Sequence, residues 1–129
     1  MLADVDVISL LPTAKPDEAR AFYEQVLGLR FLADDGFALV FEINGRLLRL
    51  TKIPGFTPQP FSVIAWHVTS AEETVRTLLD RGVTMERYDM FEQDELGIWT
   101  VPGDSARIAW FKDPDGNVLS VVEATGMLA

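Results

Sequence analysis

Apolar and polar positions along this chain follow two kinds of pattern, short apolar runs typical of strands and longer amphipathic stretches typical of helices. The first apolar run covers residues 5–11 and is followed by Pro12, so it predicts a strand that stops there. The segment KPDEARAFYEQVLGL then places apolar residues three and four positions apart. This spacing predicts an amphipathic helix that begins at Pro16 and ends at Gly28.

Short apolar runs after this helix predict three strands, at residues 29–32, 38–43 and 46–52. Asn44 and Gly45 lie between the last two runs. They predict a type I′ hairpin, because both central positions of that turn need a positive φ. The following segment, residues 54–61, is rich in proline and predicts a linker.

The second half of the chain repeats this plan. A strand is predicted at residues 62–68, followed by a helix that begins after Ser70 and ends at Gly82. Ser70 and Glu73 have the spacing of a capping box, in which each satisfies a backbone N–H of the first turn. Further strands are predicted at residues 84–88, 98–101, 106–112 and 118–124.

The two halves also agree in register. Gly45 and Gly116 are followed at the same offsets by the apolar residues of a strand, and Gly28 and Gly82 end equivalent helices. Such agreement predicts a duplicated α+β fold in one domain, residues 1–129, built from tandem βαβββ modules. We place the modules at about residues 5–53 and 62–125, and expect curved mixed sheets around a cleft.

Composition and charge narrow the classes of function. The net charge of −9, without a cluster of basic residues, argues against binding of nucleic acid and would attract cations, although solubility alone explains most acidic surfaces. No apolar run approaches the roughly 18 residues of a membrane span. Cysteine is absent and the N-terminus is acidic where a signal peptide is basic, so a cytoplasmic location is expected.

The segments AFYEQVLGL and AWFKDPDGNVLSVVE carry a more specific signal. With the double βαβββ plan, they resemble the vicinal-oxygen-chelate superfamily, which includes glyoxalase I, extradiol dioxygenases, fosfomycin-resistance enzymes and bleomycin-binding proteins. The resemblance covers about residues 5–123. It implies a fold and not a reaction, because these motifs form a helix packed on a sheet and a turn into the last strand.

In metal-dependent members of this superfamily, His or Glu side chains from the first and last strands of each module converge on a divalent ion. The resemblance assigns these positions here to Ile8, Arg49, Val63 and Ser120. None is a good ligand, and the guanidinium of Arg49 repels a cation. We therefore expect no metal and no other cofactor.

Two polar residues on predicted strands are candidates for contacting a ligand. His67, the single histidine, should share a face with Val63 and point towards the cleft, either as a base or ligand contact or as a solvated polar residue. Arg49 on an inward face needs a partner. It either pairs with a nearby carboxylate such as Glu42 or binds an anionic group of a ligand.

The three tryptophans form the last set of candidates. Trp66 and Trp110 alternate away from the inward positions and are expected to pack under the helices. Trp99 follows several carboxylates and could hold a flat or cationic ligand, or pack at a subunit interface. Asp113, in the segment DPDGN, is interpreted as part of a turn and not of a calcium loop.

Three functions remain open on these residues. The leading hypothesis is a metal-independent homodimer that binds a small organic molecule, cationic or aromatic, through Arg49, His67, Trp99, Ser120 and Val63. The second is a lyase or isomerase that uses His67 or a carboxylate as a base without the usual metal. The third is a non-catalytic paralogue whose pocket has closed.

Overall fold

A computed structural model describes residues 1–124 and divides the chain into two compact units, one up to Thr57 and one from Pro58 on. Each unit contains a four-stranded mixed sheet. The α+β class and the repeated βαβββ plan are therefore confirmed, whereas the cleft stays a prediction. Among residues 1–124, no helix has the length and apolar character that crossing a membrane requires.

The first unit follows the predicted order with small shifts of its boundaries. A single 3-10 turn precedes the first strand. The elements are β1 (Ser9–Thr13), α1 (Pro16–Ala21) with a π-helical continuation (Phe22–Val26), β2 (Arg30–Asp34), β3 (Ala38–Ile43) and β4 (Arg46–Lys52). The sheet order is β1-β4-β3-β2, with β1 parallel to β4. Asn44 and Gly45 have φ values of 48° and 82°, which confirms the predicted hairpin turn.

The core of the first unit lies between α1 and one face of its sheet. Ala19 and Tyr23 on the helix are fully buried, as are Phe41 and Leu48 on the sheet. The rings of Tyr23 and Phe41 are 5.9 Å apart. Because side chains alternate along a strand, the neighbours of these residues lie on the opposite face of the sheet.

The first strand begins four residues later than predicted and continues past Pro12. Val5, Val7 and Ile8 are exposed and lie outside the strand. Pro12 is tolerated inside β1 because this strand is at the edge of the sheet, where a missing N–H donor breaks no ladder. The prediction that the strand stops at Pro12 is therefore wrong, because β1 includes this residue and ends at Thr13.

The second unit consists of β5 (Ser62–His67), α2 (Ala71–Asp80), β6 (Trp99–Thr100), β7 (Ala106–Lys112) and β8 (Val118–Ala124), with sheet order β5-β8-β7-β6. The hydroxyl of Ser70 accepts a hydrogen bond from the N–H of Glu73 at 3.1 Å, so the predicted N-cap is present. Val75 of α2 is fully buried, as are Ala109 and Leu119 on the strands that the helix contacts.

The strand predicted at residues 84–88 is not formed. Its backbone meets β7 at an isolated bridge between Met85 and Phe111 and through a hydrogen bond from the N–H of Glu86 to the Trp110 carbonyl, which is too little pairing for a strand. The strand predicted at residues 98–101 is reduced to the two residues of β6. The second unit thus has the same βαβββ plan as the first, with one strand fewer than its sequence pattern indicated.

Candidate functional site

The register of the second sheet decides which aromatic side chains lie opposite α2. Trp110 is the cross-strand partner of Ser120, so the two side chains lie on the same face. Trp99 pairs with Ile108 on that face as well. The prediction that Trp110 packs under a helix is therefore wrong. Trp66, whose ring stacks on that of Phe111 at 6.5 Å, does lie on the α2 side.

Trp99 and Trp110 form an aromatic cluster with Tyr88 and Phe91. The ring of Phe91 lies 4.4 Å from that of Trp99 and 5.0 Å from that of Trp110, with the latter pair almost parallel at 9°. Tyr88 meets Trp110 edge-on at 5.4 Å. Offset-stacked and edge-to-face contacts of this kind stabilise an aromatic cluster beyond simple burial.

One side of this cluster borders an open cavity of about 240 Å³, which we call the aromatic depression. Its lining belongs entirely to the second unit and consists of Pro60, Phe61, Ser62, Tyr88, Met90, Phe91, Trp110 and Val118. None of these side chains is charged at neutral pH. The volume is slightly below the roughly 300–1,000 Å³ of typical ligand pockets, which suits a small planar molecule.

The irregular segment that supplies Tyr88 and Phe91 is held by the side-chain amide of Gln93. Its Oε1 accepts a hydrogen bond from the N–H of Tyr88 at 2.7 Å. Its Nε2 donates to the carbonyls of Glu86 at 3.0 Å and Gly97 at 2.7 Å. The segment therefore has a defined conformation without a strand. Sequence reasoning missed Gln93, because no local pattern distinguishes this residue from a solvated one.

Tyr88 contributes a hydroxyl group to the depression. Burial, together with the neighbouring carboxylate of Glu86, raises the pKa of Tyr88 above its ordinary value of 10.0. The phenol consequently stays neutral over the physiological range. It is one of the few polar side-chain groups among the lining residues.

Ser120, predicted to contact a ligand, is buried and is engaged by another serine. Its Oγ lies 2.9 Å from the Oγ of Ser62, and the Ser62 Oγ is also within 3.1 Å of the Ile64 carbonyl, to which it can donate. Ser62, and not Ser120, lines the aromatic depression. Val63 lies at an irregularity in the pairing of β5 with β8 and is half-buried.

His67 pairs with Val122 and therefore lies on the Ser120 face of the sheet. It is exposed at the end of β5. Within residues 1–124 its imidazole has no hydrogen-bond or ion-pair partner, and the lining of the aromatic depression does not include it. No carboxylate among the described residues orients His67 as a general base requires, so the geometry does not support a catalytic role for this residue.

Arg49 lies in the first unit and is engaged in an ion pair. Its Nη2 is 2.9 Å from a carboxylate oxygen of Asp35, whereas Glu42 pairs with Arg30 at 3.6 Å. The N–H groups of Phe37 and Ala38, together with Arg49, lower the pKa of Asp35 from 3.8 to about 2. An ion pair with a carboxylate is thus present at the surface, with a different partner from the expected Glu42.

The four positions that the resemblance assigned to a metal carry no carboxylate or imidazole. In the sheets, the partner of Arg49 on β1 is Leu10 and that of Ser120 on β5 is Ala65, neither of which has a ligating side chain. Ile8 precedes β1. Within residues 1–124, no group of three His, Asp or Glu side chains is arranged to hold a metal ion.

The segment DPDGN is a turn, as predicted. Oδ1 of Asp113 accepts hydrogen bonds from the N–H groups of Asp115 and Asn117, both at 2.9 Å. Oδ2 accepts a third from the amide of Asn117 at 2.9 Å. The carboxylate is buried and fully engaged within the turn, so it holds β7 and β8 together and offers no calcium ligand.

Two mixed sheets, each formed by a βαβββ unit, define the structural class of this protein. Residues 5–121 match the Glyoxalase/Bleomycin resistance protein/Dioxygenase superfamily, and the chain belongs to that superfamily. A search among curated proteins finds no significant match.

Several solved structures share the fold of this chain. A bleomycin resistance determinant encoded on transposon Tn5 is 21% identical, with a TM-score of 0.73 over 95% of this chain and 99% of its own. TnmS3, an antibiotic binding protein from Streptomyces sp. CB03234, is 21% identical, with a TM-score of 0.70 over 97% and 99%. Lactoylglutathione lyase from Agrobacterium tumefaciens is 18% identical, with a TM-score of 0.71 over 93% of both chains. At these identities the likeness concerns the fold alone.

Proposed function

We propose that this protein binds a small aromatic molecule without a metal ion, in the aromatic depression of its second unit. The observation that carries the proposal is the cavity of about 240 Å³ bordered by Phe91 and Trp110. Stacked aromatic rings at the wall of a cavity favour a flat ligand, because ring faces and edges attract one another beyond area burial. The antibiotic-binding and bleomycin-resistance relatives are compatible with such a role.

The metal-independent part of the proposal rests on the side chains at the usual ligand positions. Arg49 carries a positive charge and pairs with Asp35, and Ser120 is engaged by Ser62. A lyase or isomerase based on His67 is the second candidate, but this residue lacks an orienting partner within residues 1–124. The aromatic depression itself argues against the third candidate, a paralogue with a closed pocket.

A screen of planar aromatic compounds by thermal shift, with cationic drugs and small acids included, tests the function. A compound at about 100 times its Kd should raise Tm by roughly 10 °C. Trp110→Ala should abolish the shift, because it removes the wall of the cavity. Trp66→Phe is the matched control: it changes an indole on the opposite face of the same sheet and should keep the shift.

Two results would contradict the proposal. Stoichiometric zinc, nickel or iron in the purified protein would show that a metal site exists despite Arg49. Conversion of a stabilising compound into product, lost in His67→Ala, would identify an enzyme.

We also propose that the protein acts as a cytoplasmic homodimer. A chain without cysteine is compatible with a reducing compartment. Several large apolar side chains, Leu10 and Phe37 among them, are exposed in the single chain, and their burial against a second copy would remove apolar surface from water.

A further inference from the structure

Three polar side-chain groups occur among the lining residues of the aromatic depression: the hydroxyls of Ser62 and Tyr88 and the indole N–H of Trp110. The indole can only donate a hydrogen bond, and the phenol can donate or accept. No carboxylate or basic group belongs to the lining. A ligand charge placed there would be desolvated without a counter-ion, which is costly.

The hydroxyl of Ser62 has its single proton committed. Ser62 Oγ lies 3.1 Å from the Ile64 carbonyl and 2.9 Å from the Oγ of Ser120. If Ser62 donates to Ile64, Ser120 donates to Ser62, and one lone pair of Ser62 is unused. If Ser62 donates to Ser120 instead, two lone pairs are unused. In both arrangements Ser62 can only accept a further hydrogen bond.

Ser120 cannot take this role, although it belongs to the same pair. Only 3% of its surface is exposed, and it does not line the depression. It supplies one of the two hydrogen-bond partners of the Ser62 hydroxyl, and the Ile64 carbonyl supplies the other. A hydroxyl that already has hydrogen-bond partners loses less rotational freedom when a ligand binds, so its hydrogen bond discriminates better between ligands.

We propose that Ser62 is a specificity-determining residue, which selects neutral aromatic ligands that carry an N–H or O–H donor. This inference rests on the proposed function and adds the chemical class of the ligand. The net charge of −9 draws cations towards the protein at range, but the uncharged lining makes a neutral donor the better match at contact. A ligand without a donor leaves the Ser62 acceptor desolvated and unpaired.

Three bicyclic probes of similar size test this selection: indole, 1-methylindole, in which the donor is blocked, and N-methylquinolinium, a planar cation. Binding is followed by ¹H–¹⁵N NMR through the indole N–H signals of the three tryptophans. Indole should perturb the Trp110 signal and bind roughly 3- to 10-fold more tightly than 1-methylindole, the range that one neutral hydrogen bond supplies. N-methylquinolinium should bind more weakly than indole.

Three variants locate the source of the preference. Ser62→Ala should reduce the ratio of the two affinities to about one, and Ser62→Thr, which keeps a hydroxyl, should restore part of it. Ser120→Ala should keep the preference, because Ser62 can still donate to Ile64. A purely structural role of the pair would instead change all affinities together and leave their ratio unaltered.

The possible failures are distinguishable. If none of the probes perturbs the Trp110 signal, the proposed function fails, and this inference fails with it. If the probes bind but the preference for indole persists in Ser62→Ala, only the assignment to Ser62 is overturned. Tighter binding of N-methylquinolinium than of indole would show that the depression selects cations.

Discussion

At the residue scale, three turns of this protein share one feature, an aspartate whose carboxylate accepts hydrogen bonds from backbone N–H groups of its own turn. Asp94 and Asp113 each accept hydrogen bonds through Oδ1 from the N–H groups two and four positions later. Asp35 accepts similarly from Phe37 and Ala38. An aspartate that satisfies the backbone of its own turn lets the chain reverse without buried, unpaired N–H groups.

Asp35 gives a prediction about acid stability. Its pKa in the folded protein is lowered from 3.8 to about 2, first by the N–H groups of Phe37 and Ala38 and then by Arg49. The stabilisation is therefore complete above pH 4 and is lost as the pH falls through about 2. Urea midpoints measured between pH 4.5 and 2 should fall less in Asp35→Asn than in the natural protein.

The variant Arg49→Gln serves as the comparison for this prediction. It removes the ion pair but keeps both backbone hydrogen bonds, so most of the acid dependence should persist. An acid dependence that disappears in Arg49→Gln would show that the ion pair, and not the turn, controls Asp35.

At the scale of elements, the apolar pattern predicted β3, β4, β7 and β8 with their observed bounds. Each of these strands pairs over most of its length with a neighbour in the same sheet, so local pattern and tertiary contacts agree. The segment at residues 84–88 has a similar pattern but forms no strand. There, the side chain of Gln93 forms hydrogen bonds with the N–H of Tyr88 and the carbonyl of Glu86, which in a strand would pair with a neighbouring strand.

Gln93 should consequently stabilise the aromatic cluster, because it holds the backbone of the segment that carries Tyr88 and Phe91. Gln93→Ala leaves the N–H of Tyr88 and the carbonyls of Glu86 and Gly97 without their partners. We expect a loss of roughly 2–3 kcal/mol in the free energy of unfolding, at about 1 kcal/mol for each hydrogen bond. The near-ultraviolet circular dichroism of the tryptophans should weaken as Phe91 becomes mobile.

Glu92→Ala is the control, because Glu92 is an exposed neighbour of Gln93. It should change the free energy of unfolding by no more than about 0.5 kcal/mol. An unchanged urea midpoint and dichroism spectrum in Gln93→Ala would mean that this segment is held by other contacts.

At the scale of the whole molecule, the testable property is assembly. Leu10 is 65% exposed and Leu47 39% exposed on the open face of the first sheet. If this face meets a second copy, sedimentation equilibrium at 0.15 M salt should give twice the 14.4 kDa of the chain. The salt is needed because chains with a net charge of −9 repel one another when unscreened.

Leu10→Glu should shift this equilibrium towards the single chain, because it replaces an exposed apolar side chain of this face with a carboxylate that a second copy would have to desolvate. Leu79→Glu is the control, since Leu79 is 41% exposed on α2. A mass of 14.4 kDa at all concentrations would exclude the dimer, and equal effects of the two variants would exclude this face.

The sequence by itself determined the duplicated βαβββ plan, the hairpin at Asn44-Gly45, the cap of α2 and the turn at Asp113. These features depend on residues close in the chain, where conformational preference and spacing carry the information. Only the tertiary structure decided that the ring of Trp110 stacks with those of Trp99 and Phe91 and that Asp35 pairs with Arg49. It also decided that Ser62, hydrogen-bonded to the buried Ser120, lines the aromatic depression. Those contacts join distant residues, and a shift of one position in register moves a side chain to the other face of its sheet.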